Sequence, residues 1–204
     1  AERSTVLEQY GLLVLRFANN DVDNHFDAVC AQIGESHYNS MSGLYTWYFG
    51  DEFRNNIIPA VESKYLTYAN KDVSEENLIA TRDHRAYCGL SMGSVTSFHG
   101  VLMRNFDVIG WCGSWSGSLT DEALFRTMLE EKYADYTLNF WYNGNGVEDI
   151  AFEEHYEIYN QLMESMSNKF VDGENSAMVV LEDGAHNYAA WIVDLYNCLL
   201  VFFK

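Results

Sequence analysis

The sequence predicts an α/β fold, a mostly parallel sheet with helices on both faces. Three observations lead there. Short apolar runs alternate with helical patterns along the chain, the arrangement that yields parallel strands joined by crossover helices. One such run, 86–88, leads into Gly89-Leu90-Ser91-Met92-Gly93 and then into a helical pattern with Val95, Phe98 and Leu102 on one face. A serine, an acidic pair and a histidine each follow a different apolar run, in the order Ser91, Glu148-Asp149, His186. A single domain over 1–204 is expected, because a chain of 204 residues is long enough to bury one sizeable core.

The elements follow in order. Residues 4–10 have the pattern of a helix end, closed by Gly11. The run 12–17, Leu-Leu-Val-Leu-Arg-Phe, has the composition of a buried parallel strand, and 19–24 is a polar turn. Residues 27–49 carry many Ser, Gly and Tyr with no clean period. They are expected to form a long loop on the active-site side, with Tyr38, Tyr45, Trp47 and Tyr48 either lining a cleft or tethering the loop. The segment 51–65 repeats Phe53, Ile57, Ile58 and Val61 at helical spacing, and the only proline, Pro59, predicts a kink within it. Residues 71–77 are a polar excursion before the strand at 86–88.

Beyond the Gly-x-Ser-x-Gly helix, 107–112 is expected as another buried strand, ending in Gly113-Ser114-Trp115-Ser116-Gly117, where Trp115 is a candidate substrate-binding aromatic beside Tyr45 and Trp47. A helix is expected over 121–132 and a strand over 137–142. Asn143-Gly144-Asn145-Gly146 then has the composition of a flexible loop carrying Glu148 and Asp149. Helix 151–168 places Ile158, Leu162 and Met166 in register, 177–181 is the last strand, and an apolar helix over 191–203 closes the chain.

Composition narrows the function classes. A net charge of −18 makes nucleic acid and anionic membrane surfaces poor partners. Aromatics reach 15%, with 14 Tyr and 5 Trp, a surplus that lines carbohydrate or aryl-binding clefts or simply fills a core. Cys30, Cys88, Cys112 and Cys198 have no metal-ligand spacing, so no metal is expected. Cys88 and Cys112 fall in expected buried strands, where cysteine acts as a small hydrophobe. No apolar run is long enough to span a bilayer.

The chemistry centres on Ser91. A serine on a tight strand-to-helix turn needs small neighbours two positions either side, and the turn aims the Met92 amide at the place where an oxyanion forms. Loops beyond the carboxyl ends of parallel strands share one sheet edge, so Ser91, Asp149 or Glu148, and His186 are able to converge there. Their chain order is that of the α/β-hydrolase arrangement, with acyl transfer as the reaction: His186 takes the Ser91 proton and the acid orients the imidazole.

These residues resemble the family 1 carbohydrate esterases, the feruloyl and acetylxylan esterases of plant-cell-wall degraders. The resemblance rests on Gly89-Leu90-Ser91-Met92-Gly93 after Asp83-His84-Arg85, on the segment 53–65 and on Gly184-Ala185-His186-Asn187-Tyr188, and it covers 50–203. It implies an α/β-hydrolase fold without a cofactor, Ser91 and His186 as catalytic residues, and Asp149 as the acid through Gly146-Val147-Glu148-Asp149. It also implies a secreted enzyme acting on feruloyl or acetyl esters of plant cell-wall polysaccharide such as xylan. Family members carry an upstream strand ending in His-Gly whose loop supplies a second oxyanion amide, and no such strand precedes Leu12. The chain is therefore expected to lack the N-terminal strands of the sheet, with the 12–17 strand closing against 86–88 or a second chain or domain completing it. Two functional classes stand at this point: a serine esterase, and a non-catalytic carbohydrate-binding or scaffolding remnant that keeps the three residues.

Overall fold

The computed structural model describes Thr46 and residues 48–204. The expected helix end, strand and turn over 4–24, Cys30, and the loop aromatics Tyr38, Tyr45 and Trp47 lie outside the described residues, as does any pairing of 12–17 with the sheet.

Among the described residues four parallel strands lie in sequence order: β1 (Ala86–Leu90), β2 (Trp111–Trp115), β3 (Phe140–Glu148) and β4 (Ser176–Ala185). Helices α1 (49–62) and α2 (Glu75–Ala80) precede β1, and α3 (92–105), α4 (Glu122–Lys132) and α5 (Phe152–Ser165) fill the three crossovers. Helix α6 (Tyr188–Val201) follows β4. Each strand is joined to its next neighbour by a helical crossover, and such crossovers share one hand, so the three helices stack on one face of the sheet. That face is the larger core, where Phe98, Val101, Phe125, Leu129, Ile158 and Leu162 meet Cys112 and Trp141 of the strands. Helix α6 covers the opposite face, meeting Trp111, Trp115 and Tyr142 through Cys198 and the adjacent Phe202.

Period-two alternation along the strands decides which side chain meets which helix. On β2, Cys112 faces the larger core while Trp111 and Trp115 face α6. On β3, Trp141 faces the larger core and Tyr142 faces α6. Glycine occupies the α6-facing positions at the centre. A Cβ on Gly144 would lie 2.1 Å from Asp194 Oδ1, and one on Gly113 would lie 3.0 Å from Cys198 Sγ. The inward stripe of α6 is Ala190, Asp194 and Cys198, at the i, i+4, i+8 spacing of one helix face. The helix expected to be simply apolar thus presses an acid and a thiol into two glycine-made hollows, with Ile192 and Leu199 outward.

Several boundaries move from expectation. Strand β2 begins at Trp111 and includes Gly113, Ser114 and Trp115, and residues 107–110 form the turn that enters it. The polar stretch 71–77 runs into a helix, α2, which begins at Glu75 after Ser74. The Asn-Gly-Asn-Gly segment is not a loop but the middle of β3, buried throughout. Strand β4 likewise extends through the glycine-containing 182–185.

Helix α1 gives the largest correction. Phe53 and Ile58 are buried as expected, but Ile57 and Val61 are 38% and 45% exposed. Residues Phe53–Ile57 form a π-helical segment, in which the Ile58 amide reaches back to the Phe53 carbonyl. Pro59 has no amide to give, and a π segment just before it absorbs the missing donor by inserting one residue into the turn. The insertion rotates everything downstream by one position. Ile58 replaces Ile57 under Phe53, and Glu62 replaces Val61 in the interior, where both its oxygens meet Arg85.

Candidate active site

The turn between β1 and α3 holds Ser91 at φ 53° and ψ −122°, a backbone geometry that costs a non-glycine residue about 1–3 kcal/mol. The surrounding contacts hold it there. The Ser91 amide donates to the Trp115 carbonyl at 2.9 Å, continuing the sheet one residue further, while the Ser91 carbonyl accepts from Ser94 and Val95 to start α3. Gly89 is required by space, since a Cβ there would sit 2.1 Å from the Gly93 carbonyl oxygen. At Gly93 a Cβ would meet nothing within 4 Å among the described residues. The expected need for small residues on both sides therefore holds before the serine and fails after it among the described residues.

Register brings the other two groups to the same edge. An irregularity in the β3–β4 ladder pairs Glu148 with Ala185, so the residues that follow, Asp149 and His186, leave the sheet side by side. His186 Nδ1 lies 2.9 Å from Asp149 Oδ1, and His186 Nε2 lies 3.0 Å from Ser91 Oγ. With the Nδ1 hydrogen donated to the carboxylate, Nε2 is the lone-pair nitrogen and accepts from the serine hydroxyl. Asp149 is buried and its Oδ1 also accepts from the Ala151 amide at 2.9 Å. Glu148, the other acid considered, is exposed.

Ser91, Met92 and His186 line a pocket of about 280 Å³ with Ser116, Leu119 and Ile150 among its other walls. Met92 occupies the first position of α3, where backbone N–H groups have no acceptor within the helix. Ile150, 89% exposed, stands at this pocket. Trp115, expected as a substrate-binding aromatic, is elsewhere: it is buried against α6 with Trp111, Tyr142 and Cys198. Its position on β2 faces it away from the pocket, and its neighbour Ser116 lines the pocket instead. Tyr48 is exposed.

Two residues that sequence reading did not single out support this edge. Trp191, in the first turns of α6, meets the His186 ring edge-on at 5.0 Å and donates from Nε1 to Ser116 Oγ at 2.7 Å. His155 is fully buried between the loops after β2 and β3. Its Nδ1 accepts from the Gly117 amide and from Asn145 Nδ2, each at 3.3 Å, and its Nε2 donates to Asn143 Oδ1 at 3.1 Å. Asn145 also donates to the Ala151 carbonyl, so the ring ties the Gly117 turn to the turn bearing Asp149. Burial holds the imidazole neutral, with a pKa pushed down to about 3. The alternation of Asn143 and Asn145 was the available signal, since period two places both on one face of a strand.

Among the described residues, no group of three or more metal-ligating side chains converges, and no helix is long and apolar enough to cross a membrane.

No family model matches the chain. A 69-residue stretch, 34% of the chain, is 41% identical to endo-1,4-beta-xylanase Y of Acetivibrio thermocellus, of which it spans 6%. Among solved structures, a serine-to-alanine mutant of the feruloyl esterase module from Clostridium thermocellum, complexed with sinapinate, matches with a TM-score of 0.66 and 25% identity over 78% of this chain. A family 1 ferulic acid esterase from the anaerobic fungus Anaeromyces mucronatus matches in fold, with a TM-score of 0.55 at 22% identity over 76% of the chain. The chain spans 59% and 53% of these two structures. The parallel sheet with its helices is thus an α/β-hydrolase-like fold, similar to that of family 1 feruloyl esterases.

Proposed function

We propose that the chain is a serine carboxylic ester hydrolase that removes acyl groups, feruloyl in preference to acetyl, from plant cell-wall polysaccharide such as xylan. The observation that carries this reading is the continuous line from Asp149 Oδ1 through the His186 ring to Ser91 Oγ, with contacts of 2.9 and 3.0 Å, at a strained serine facing a pocket.

In this reading Ser91 Oγ attacks the ester carbonyl while His186 Nε2 takes its proton. Asp149 fixes the tautomer and stabilises the imidazolium that forms. The Met92 amide faces the oxyanion that develops on the carbonyl oxygen. His186 then gives the proton to the departing sugar hydroxyl, and water repeats the sequence on the acyl-enzyme. The choice of feruloyl is supported by the apolar side chains of Leu119, Ile150 and Val95 at the pocket, which suit an aryl group better than a methyl. It is also supported by the feruloyl esterase structures that the chain resembles. A polymeric wall substrate makes the extracellular space the place of action, and no cofactor enters the chemistry.

The experiment is hydrolysis of methyl ferulate, p-nitrophenyl acetate and acetylated xylan by the chain and by Ser91→Ala and His186→Ala. Turnover of methyl ferulate that is lost in both variants and blocked by a serine-directed phosphonate supports the reading. Ordinary turnover by Ser91→Ala would overturn it. No turnover of any ester by the unmodified chain, with binding to xylan retained, would favour a non-catalytic carbohydrate-binding role.

A further inference from the structure

Two thiols outside the hydrolytic residues converge on one hollow in the sheet. Cys88 is on β1 and Gly113 is its partner in the β1–β2 register. Gly113 has no side chain to fill the space under α6. A Cβ there would lie 2.9 Å from Cys88 Sγ and 3.0 Å from Cys198 Sγ, so both sulfurs crowd the same vacant point from strand and helix. Cys112, the next strand's cysteine, points to the other face into the larger core.

We propose that Cys88 and Cys198 are an oxidisable pair that closes to a disulfide, covalently fastening β1 to α6. The bond joins the strand that ends one residue before Ser91 to the helix that begins two residues after His186. It therefore braces the backbone on both sides of the Ser91–His186 contact from beneath.

The two sulfurs are unequal in the way thiol–disulfide exchange requires. Among the described residues Cys88, at the edge strand, is exposed while Cys198 is buried. Hydrogen bonding from Cys198 holds the Cys88 thiol below the usual cysteine range, aided by the Gly113 amide. The same contact, with burial, holds Cys198 well above it. A lower-pKa thiol on the edge strand backed by a protonated, buried one is the order of attack and resolution. The oxidant is a small-molecule disulfide such as oxidised glutathione. Cys88 thiolate attacks one of its sulfurs, forming a mixed disulfide and releasing one glutathione thiolate, which takes up a proton. Cys198 then loses its proton to solvent and attacks Cys88 Sγ, and the second glutathione leaves. Two cysteine thiols are oxidised and one glutathione disulfide is reduced to two thiols.

The test uses the whole chain in glutathione buffers of graded oxidation, quenched with N-ethylmaleimide and read by intact mass and peptide mapping. Oxidised protein is expected to lose two maleimide additions and to yield a peptide pair joining Cys88 to Cys198. Its thermal midpoint is expected to rise by about 5–15 °C, as cross-links closing long loops do. Cys112→Ser should behave as the unmodified chain, and Cys88→Ser should lose both the cross-link and the rise. Glutathione stalled on Cys88, a cross-link running through Cys30, or an unchanged thiol count would each overturn the proposal. The peptide map on the unmodified chain decides it even where a variant folds poorly. None of these readouts depends on ester hydrolysis, so the proposal stands or falls apart from the esterase reading.

Discussion

Asp149 Oδ1 sits 2.9 Å from His186 Nδ1 because the β3–β4 ladder slips just before it, pairing Glu148 with Ala185 and releasing the next residue of each strand together. The slip chooses between two adjacent acids that sequence spacing barely separates. Glu148 stays in the ladder with its side chain in solvent, while Asp149 turns under the histidine. Asp149→Asn is therefore expected to lower kcat on methyl ferulate by about 10³–10⁴, the cost of presenting the wrong histidine tautomer. Glu148→Gln should stay within a few-fold of the unmodified chain. Steady-state kinetics on the two variants settles the assignment, and the reverse ranking would move the acid to Glu148.

His155 gives the stability curve an acid limb. In the folded chain its pKa is depressed to about 3 by burial, against about 6.5 when unfolded. Below the unfolded value the unfolded state holds a proton that the folded state refuses. Stability is thus fully present above about pH 6.5 and falls as pH drops toward 3, by up to about 1.4 kcal/mol per pH unit. His99, pushed in the same direction by burial, steepens this limb. Urea unfolding at pH 7.5 and 5 should show the loss, and His155→Gln should make the limb shallower by close to one proton. An unchanged slope in the variant would mean that His155 is already solvated in the folded chain.

Asp194 acts with the opposite sign. Burial raises its carboxyl to about 6, with the Tyr142 hydroxyl as hydrogen-bond donor at 3.0 Å lowering it in part and the nearby Asp149 raising it further. The unfolded carboxyl loses its proton near pH 4, so between about pH 4 and 6 the folded state holds the extra proton and stability declines as pH rises. Asp194 Oδ2 is buried without a hydrogen-bond partner among the described residues. Asp194→Asn keeps the shape and removes the charge. It is expected to stabilise the chain at pH 7.5 by about 1–3 kcal/mol and to have little effect at pH 4.5. Thermal melts of the pair at both pH values test this, and destabilisation at pH 7.5 would show that the ionised carboxylate is held favourably.

What sequence made legible, and what it hid, follows from how each residue is used. Strand β1 and its serine turn were readable because a strand, a bend and a helix leave three different local patterns within a few residues. The histidine was readable because it follows the last strand. Strand β3 was not, since Asn and Gly are poor strand formers on average. Here Asn143 and Asn145 are paid for by His155, and Gly144 by the close approach of Asp194, contacts that only the assembled fold supplies. Trp115 was misplaced for a related reason. An aromatic just before the loop could face either side of the sheet, and only the extent of β2 decides which.

Helix α1 carries the sharpest reversal, and it makes a prediction that an amphipathic reading contradicts. Helical periodicity puts Val61 inside and Glu62 outside. The π segment before Pro59 exchanges them, leaving Val61 45% exposed and Glu62 8%. Arg85 Nε and Nη2 then hold the two Glu62 oxygens at 2.7 and 2.8 Å, while Nη1 donates to the Val108 carbonyl at 3.1 Å. Truncating one partner of a buried, doubly bonded ion pair strands the other, at a cost of about 3–5 kcal/mol. Losing an exposed valine side chain changes stability by about 0.5 kcal/mol or less. Glu62→Ala should therefore lower the urea midpoint severely and Val61→Ala hardly at all. Were Val61→Ala the more damaging of the two, the helix would be running straight through Pro59, without the inserted residue that brings Glu62 to Arg85.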